Sequence, residues 1–349
     1  MNSYKTVRQG GWFSARYKTY IALCNVGYTG VHTPGYVFGP VYSRRLGRSL
    51  GVNNIPYKTC TYSCVYCQLG RTNNLTVERK CFYDWREVAG EIVGFLAGNK
   101  GSVDYVTFVP DGEPTLDACM GRTIEFVKRE TDARVAVLTN ASLLWAEEVR
   151  RDLELADVVS VKVDAVKEGV WRRVNRPHPS LRLDRILEGL REFARGYKKT
   201  LISETMLVQG LNTSIDDYRE IALFLRELNP SKAYISIPIR PPAEPFVKPP
   251  TEKDLIEAYE EFKRALGEGR VELLNMPEPP PRIIGGDPAT WLLNTTAVHP
   301  LRYEHALKAL EGRVGDPAGL IEGLVRENLL LKTEYEGAVY LLRNFRVKQ

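Results

Sequence analysis

The stretch Lys58-Thr-Cys-Thr-Tyr-Ser-Cys-Val-Tyr-Cys-Gln-Leu-Gly70 carries three cysteines, Cys60, Cys64 and Cys67, spaced C-x3-C-x2-C. Three thiolates on a tight loop can each hold one iron of a [4Fe–4S] cube, which leaves the fourth iron without a protein ligand. Fully ligated clusters mostly move electrons, whereas an open position on a metal site is where a substrate binds. The missing fourth ligand is therefore the informative feature. A structural zinc site is the plainer alternative. Such a site wants four Cys or His ligands at short spacings, and here Cys81 is the nearest spare thiol, with no histidine close by. Six cysteines in 349 residues, three of them in one loop and without a secretory signal, do not suggest a disulfide framework. A reducing cytoplasm is the expected compartment.

Outward from this loop, short β-branched or aromatic runs alternate with segments of helical period, which predicts βαβ units around a parallel sheet. Strands are expected near residues 49–53, 105–109, 135–139, 158–163, 201–208 and 233–237, and helices near 84–96, 121–130, 143–155, 181–194, 215–228 and 252–266. In the fourth helix Leu183, Ile186, Leu187, Leu190 and Phe193 recur at helical spacing, the pattern of a core-facing stripe. In βα barrels the chemistry sits on loops at the C-terminal ends of strands. The first such loop holds the three cysteines. The second, Val109-Pro-Asp-Gly-Glu-Pro-Thr-Leu116, sets Asp111 and Glu113 beside Gly112 and can accept hydrogen bonds from an ammonium group. The third brings Thr139, Asn140 and Ser142, whose hydroxyl and amide groups suit a ribose or carboxylate, although Asn140 and Ser142 are also good helix caps. On the fourth strand Lys162 and Asp164 point away from the face of Val161 and Val163, either into an active site or into an internal salt bridge.

The combination of C-x3-C-x-Tyr66-Cys with Asp111-Gly112-Glu113 one βα unit later resembles the radical S-adenosylmethionine (SAM) superfamily. Gly39-Pro-Val-Tyr-Ser-Arg-Arg-Leu-Gly47, Cys64-Val-Tyr-Cys-Gln-Leu-Gly70, Gly112-Glu-Pro-Thr-Leu116 and Asn175-Arg-Pro-His-Pro179 are similar to the group related to the wyosine tRNA-modifying enzyme. The resemblance implies a partial (β/α)6 barrel over residues 38–276, a [4Fe–4S] cluster on Cys60, Cys64 and Cys67, and SAM bound to its open iron. In that family an electron from the cluster cleaves SAM to a 5′-deoxyadenosyl radical that abstracts hydrogen from a substrate. By the same likeness Tyr66, Asp111, Gly112, Glu113, Thr139, Asn140 and Asp164 line the SAM site. Asp111 stands where the family has glycine. Only Cys24 lies upstream of the motif, so the second cluster of the wyosine enzymes is not expected, nor is their substrate.

Residues 1–37 carry no readable pattern and form an unassigned arm. Proline and glycine concentrate between 277 and 290, which reads as a linker. Residues 291–349 then suggest helices followed by a hairpin around Tyr335-Glu-Gly337, the plan of a winged-helix-like domain. Its second helix has Glu322 and Glu327 against Arg326, which disfavours duplex DNA, since phosphate contacts need lysine and arginine. The net charge of +5 is only mildly basic, and no apolar run reaches membrane-spanning length. Arg44, Arg45, Arg48 and the arginines of 171–180 lie on loops where they could meet an anionic substrate or simply be solvated. The expectation is an enzyme acting on RNA or on a peptide or protein, served by an electron donor such as ferredoxin or flavodoxin. The alternative is a non-catalytic Fe–S or zinc-binding adaptor working through the C-terminal module. The catalytic residues themselves are not legible.

Overall fold

The computed structural model describes residues 35–275, 278–284 and 286–345. Strands β1 (Val37–Ser43), β2 (Gly47–Val52), β5 (Tyr105–Phe108), β6 (Arg134–Thr139), β7 (Val158–Lys162), β8 (Thr200–Met206), β9 (Lys232–Ser236) and β10 (Val271–Leu274) make one sheet in that spatial order. All neighbours from β2 to β10 are parallel; β1 alone is antiparallel, as a hairpin partner of β2. Two short strands, β3 (Thr59–Cys60) and β4 (Asn74–Leu75), pair beside the cysteine loop.

The six expected strands are present close to their expected bounds. The returning helices are α1 (Trp85–Gly98), α2 (Met120–Glu130), α3 (Glu147–Glu154), α5 (Leu183–Gly196), α6 (Ile215–Leu228) and α7 (Glu252–Leu266). Their starts follow local chemistry: Asp84, Ser214 and Thr251 each accept a backbone N–H at an N-cap, the last within a capping box. The sheet curls into a half-barrel, so the α/β partial barrel read from the sequence holds. Two edge strands were not legible. β10 is a four-residue run that takes register from β9, and β1 lies in a Gly/Pro-punctuated stretch whose strand character comes from pairing with β2. A further helix, α4 (Glu168–Asn175), occupies the first half of a stretch expected to be a loop. It stops where expected, because Arg176 adopts a left-handed conformation immediately before Pro177.

The convex face of the sheet packs under the helices through residues such as Val106, Val137, Val159 and Phe108. The concave face is a separate cluster of Leu46, Ala136, Val158, Ile202, Tyr234 and Leu274. Leu46 belongs to the β1–β2 turn, which therefore folds across the hollow of the half-barrel.

After β10 come α8 (Pro288–Val298), β11 (Leu301–Arg302), α9 (Tyr303–Leu310), α10 (Pro317–Arg326), β12 (Leu330–Tyr335) and β13 (Ala338–Arg343). The three strands form an antiparallel sheet in the order β11-β13-β12 and share a core of Trp291, Leu292, Leu301, Leu310, Ile321 and Leu341. Helix α8 begins at Pro288, inside the expected linker. Tyr335 and Tyr340 donate their hydroxyls to the carbonyls of Pro238 and Ile239 at 3.0 and 2.7 Å, which fastens these strands to the loop after β9. The arm expected over 1–37 lies outside the described residues as far as residue 34, as does Cys24, and β1 begins at its end. No helix among the described residues is long and apolar enough to cross a membrane.

Candidate functional site

The loop after β2 turns tightly because Cys67 N–H donates to the Cys64 carbonyl and Gly70 N–H to that of Cys67, at 3.1 and 3.0 Å. Cys60, Cys64 and Cys67 are all free thiols. Each sulfur receives one nitrogen donor, and each donor comes from a different part of the chain. Lys58 Nζ approaches Cys67 Sγ at 3.4 Å, Asn140 Nδ2 approaches Cys60 Sγ at 3.6 Å, and Asn175 Nδ2 approaches Cys64 Sγ at 3.5 Å. Donors aimed at sulfur stabilise the anionic form that ligates iron. Burial acts the other way: it pushes the Cys64 thiol up to about 12, with Asp164 adding to the shift, and raises Cys60 still more, with Glu113 adding. A metal bound to the sulfurs resolves that conflict.

Among the described residues the ligand atoms of Cys81, Asp117 and Cys119 all lie within 4.8 Å of one another.

The loop after β5 is pressed against this one. A Cβ on Gly112 would meet the Thr59 carbonyl oxygen at 1.8 Å, so only glycine fits there, and Glu113 N–H donates to the same oxygen at 3.2 Å. Glu113 is fully buried and its carboxylate accepts from Thr115 N–H (3.1 Å), Thr115 Oγ1 (2.6 Å), Thr139 Oγ1 (2.6 Å) and Asn140 N–H (2.7 Å). It thus locks the loops after β5 and β6 together; burial raises its pKa and these four donors oppose the rise. Asp111 turns to Asn53, exchanging a pair of hydrogen bonds of 3.0 and 3.1 Å, and its other oxygen meets no partner among the described residues. Burial raises this carboxyl to about 7. Asn140 also donates to Thr61 Oγ1 at 2.8 Å, which ties β6 to the residue after Cys60.

Asp164 does not pair with Lys162. It accepts from the Tyr66 hydroxyl, from Asn175 Nδ2 at 2.7 Å and from Met206 N–H at 2.8 Å, while Lys162 reaches Glu204 at 3.2 Å. Of the two sequence readings for this pair, the internal salt bridge between them is therefore the one that fails. Tyr66, Asp164 and Asn175 form one hydrogen-bonded group against Cys64.

Tyr62, Asn140, Lys162, Asp164, Trp171 and Asn175 line a cleft bounded on one side by Leu183, Ile186 and Leu187 of α5. It borders Cys60 through Asn140 and Cys64 through Asn175. Sequence reasoning missed Lys58, Asn175 and Trp171 as parts of this site. Lys58 was the accessible one, sitting just before the first cysteine; Asn175 was hidden in a stretch whose arginines drew the reading. Those arginines are held at the surface by acids, Arg172 by Glu168 and Arg176 by Glu244.

The profile of the Radical SAM superfamily matches residues 54–225, a span that takes in the three cysteines, Glu113, Asn140, Asp164 and Asn175. The chain belongs to the radical SAM superfamily. Among relatives of this radical SAM protein, a UPF0026 protein of Methanocaldococcus jannaschii is 43% identical over 312 residues, covering 88% of this chain and 96% of the relative. A UPF0026 protein of Synechocystis is 36% identical over 59% of this chain and 76% of its own length. A radical SAM methyltransferase from Sphaerobacter thermophilus is similar in structure with a TM-score of 0.47 and 16% identity, over 65% of this chain and 66% of that one.

Proposed function

We propose that this radical SAM protein is an enzyme that holds an open [4Fe–4S] cluster on Cys60, Cys64 and Cys67 and binds SAM in the adjoining cleft. With cluster and SAM in place, that chemistry supplies a 5′-deoxyadenosyl radical able to abstract hydrogen from a substrate. The observation that carries the reading is the set of three sulfurs, each with its own nitrogen donor, beside a cleft lined by polar side chains. The chain's own residues have separable tasks. Lys58, Asn140 and Asn175 hold the sulfurs in position and offset their negative charge. Tyr66 and Asp164 fix the wall of the cleft beside Cys64. Leu183, Ile186 and Leu187 offer an apolar surface for a flat base, and Asn140 and Asp164 offer polar partners for ribose and ammonium groups. Glu113 acts in this reading by setting the loops, since its carboxylate is already engaged within the protein, and Asp111 through its paired hydrogen bonds with Asn53.

The substrate is a macromolecule, RNA or a peptide, presented with the help of a winged-helix-like C-terminal module, and a small one-electron donor such as ferredoxin or flavodoxin reduces the cluster. The adaptor alternative lacks a reason for a cleft of this polarity beside the sulfurs. The test is anaerobic. Protein reconstituted with iron and sulfide is given dithionite and SAM, and 5′-deoxyadenosine is measured with cell extract pretreated with ribonuclease or with protease. Product above the Cys64→Ala background is expected. Its loss after ribonuclease assigns RNA, and its loss after protease assigns a peptide or protein. No product in any sample removes the enzyme reading in favour of the adaptor.

A further inference from the structure

The hollow of the half-barrel carries charge that holding the sulfurs and SAM does not use. Alternation along β7, β8 and β9 sends Lys162, Glu204 and Ser236 to the concave face. Lys162 Nζ donates to Glu204 Oε1 at 3.2 Å, and Ser236 Oγ donates to the same oxygen at 2.9 Å. Arg45, carried over the hollow by the β1–β2 turn, sets Nη1 on the other oxygen of Glu204. The three charged side chains are only 15–22% exposed, so one largely buried carboxylate serves two cations. A second station repeats the pattern: Glu278 receives Arg240 and lies 3.7 Å from Arg44, with His299 at 3.1 Å. The two stations feel each other. Burial, together with Arg44 and Arg240, draws Arg45 down to about 10, and Glu278 opposes them. At the first station two cations, Arg45 and Lys162, face one carboxylate, Glu204.

Burying an unbalanced charge is costly in a low-dielectric interior unless a counter-charge completes the site. An arginine fork beside a lysine is the side-chain pair best matched to a tetrahedral or planar oxyanion. The location matters as much as the charge. Lys162 Nζ stands 5.0 Å from the centre of the Tyr66 ring, and Tyr66 lies between Cys64 and Cys67. A group anchored here therefore keeps the rest of its molecule next to the cysteine loop.

We propose that the concave hollow binds an oxyanion of the substrate, a phosphate or a carboxylate, between Arg45 and Lys162, and that Glu204 holds those two side chains in place until the anion arrives. This deepens the enzyme reading above and rests on it for the word substrate, but the site itself is testable by binding alone. Glu204 also competes with the ligand, so its removal has a sign that a purely structural ion pair does not share.

The experiment is calorimetric titration of the reconstituted protein with inorganic phosphate, and separately with malonate as the carboxylate probe, at low salt. Saturable binding of one of them is expected, and which one binds names the oxyanion. Arg45→Gln and Lys162→Met should each weaken it by about tenfold or more, while Glu204→Gln should tighten it by roughly tenfold. Melting curves report whether Arg45→Gln folds; if it does not, the gain in Glu204→Gln still decides the matter. Failure of both probes to bind the parent protein, or unchanged or weaker binding in Glu204→Gln, overturns the proposal. The parent sample is also assayed for SAM-dependent 5′-deoxyadenosine. If that product forms while neither anion binds, the oxyanion site is lost and the enzyme reading stands; anion binding with no product has the opposite meaning.

Discussion

The five described cysteines occur in two arrangements that share only their element. Cys60, Cys64 and Cys67 sit on one loop as free thiols, each facing a nitrogen donor. Cys81 and Cys119, separated by 38 residues, are joined as a disulfide beside Asp117. In the first set the protein supplies each sulfur with a donor, which favours its anionic, metal-ligating form. In the second the sulfurs satisfy each other, and the bond pins the segment after β4 to the start of α2, where Lys80 N–H donates to the Leu116 carbonyl and Ala118 N–H to the Lys80 carbonyl. Proximity of thiols is thus a poor guide to metal chemistry; what surrounds each sulfur is the better one.

The comparison is broken most severely by substituting within each set. Cys64→Ala is expected to abolish iron retention after reconstitution, read as loss of bound iron and of the visible charge-transfer absorption, with little change in the disulfide. Cys81→Ser combined with Cys119→Ser should leave iron content intact and lower stability by about 4 kcal/mol, the chain-entropy value for a loop of this length, read by denaturant unfolding under oxidising conditions. If the pair instead lost iron along with the loop cysteines, the two sets would not be independent.

A pH experiment sharpens the contrast between engaged and stranded acids near the loop. Burial raises the folded-state carboxyl of Asp111 to about 7, above its ordinary value of 3.8. A raised acid favours the folded protein in its neutral form, so it is harmless below the ordinary value and destabilises progressively as pH rises towards 7. Asp111→Asn should therefore melt higher than the parent at pH 8, with the gap closing by pH 4. An equal gap at both values would show that the carboxylate is not strained by its burial. The smallest effect is expected from Tyr66→Phe, which removes the hydroxyl donated to Asp164 but keeps the ring. A loss of about 1–3 kcal/mol in stability, with iron content unchanged, is the expected outcome.

Much of this was legible in the sequence because it is local. Helical and strand periods and the C-x3-C-x2-C spacing are properties of a few neighbouring residues, and they placed six strands, their helices and the three thiols. The glycine at 112 was legible as a turn, but its reason was not: it admits the Thr59 carbonyl from the cysteine loop. The edge strands β1 and β10 owe their structure to a partner strand rather than to their own pattern. Helix α4 was masked by the polar, Pro-containing sequence that follows it.

The sequence by itself determined which chemistry this protein can host, since three cysteines at that spacing and a parallel βα alternation are fixed by the order of residues. Only the tertiary structure decided what each sulfur and each buried charge meets. Asn140 and Asn175 lie 80 and 111 residues from the cysteines they face, and Arg45 reaches Glu204 because a hairpin turn crosses the hollow of the sheet. Such partners are chosen by strand register and by the curl of the sheet, which depend on the packing of the whole core and leave no mark on the residues nearby.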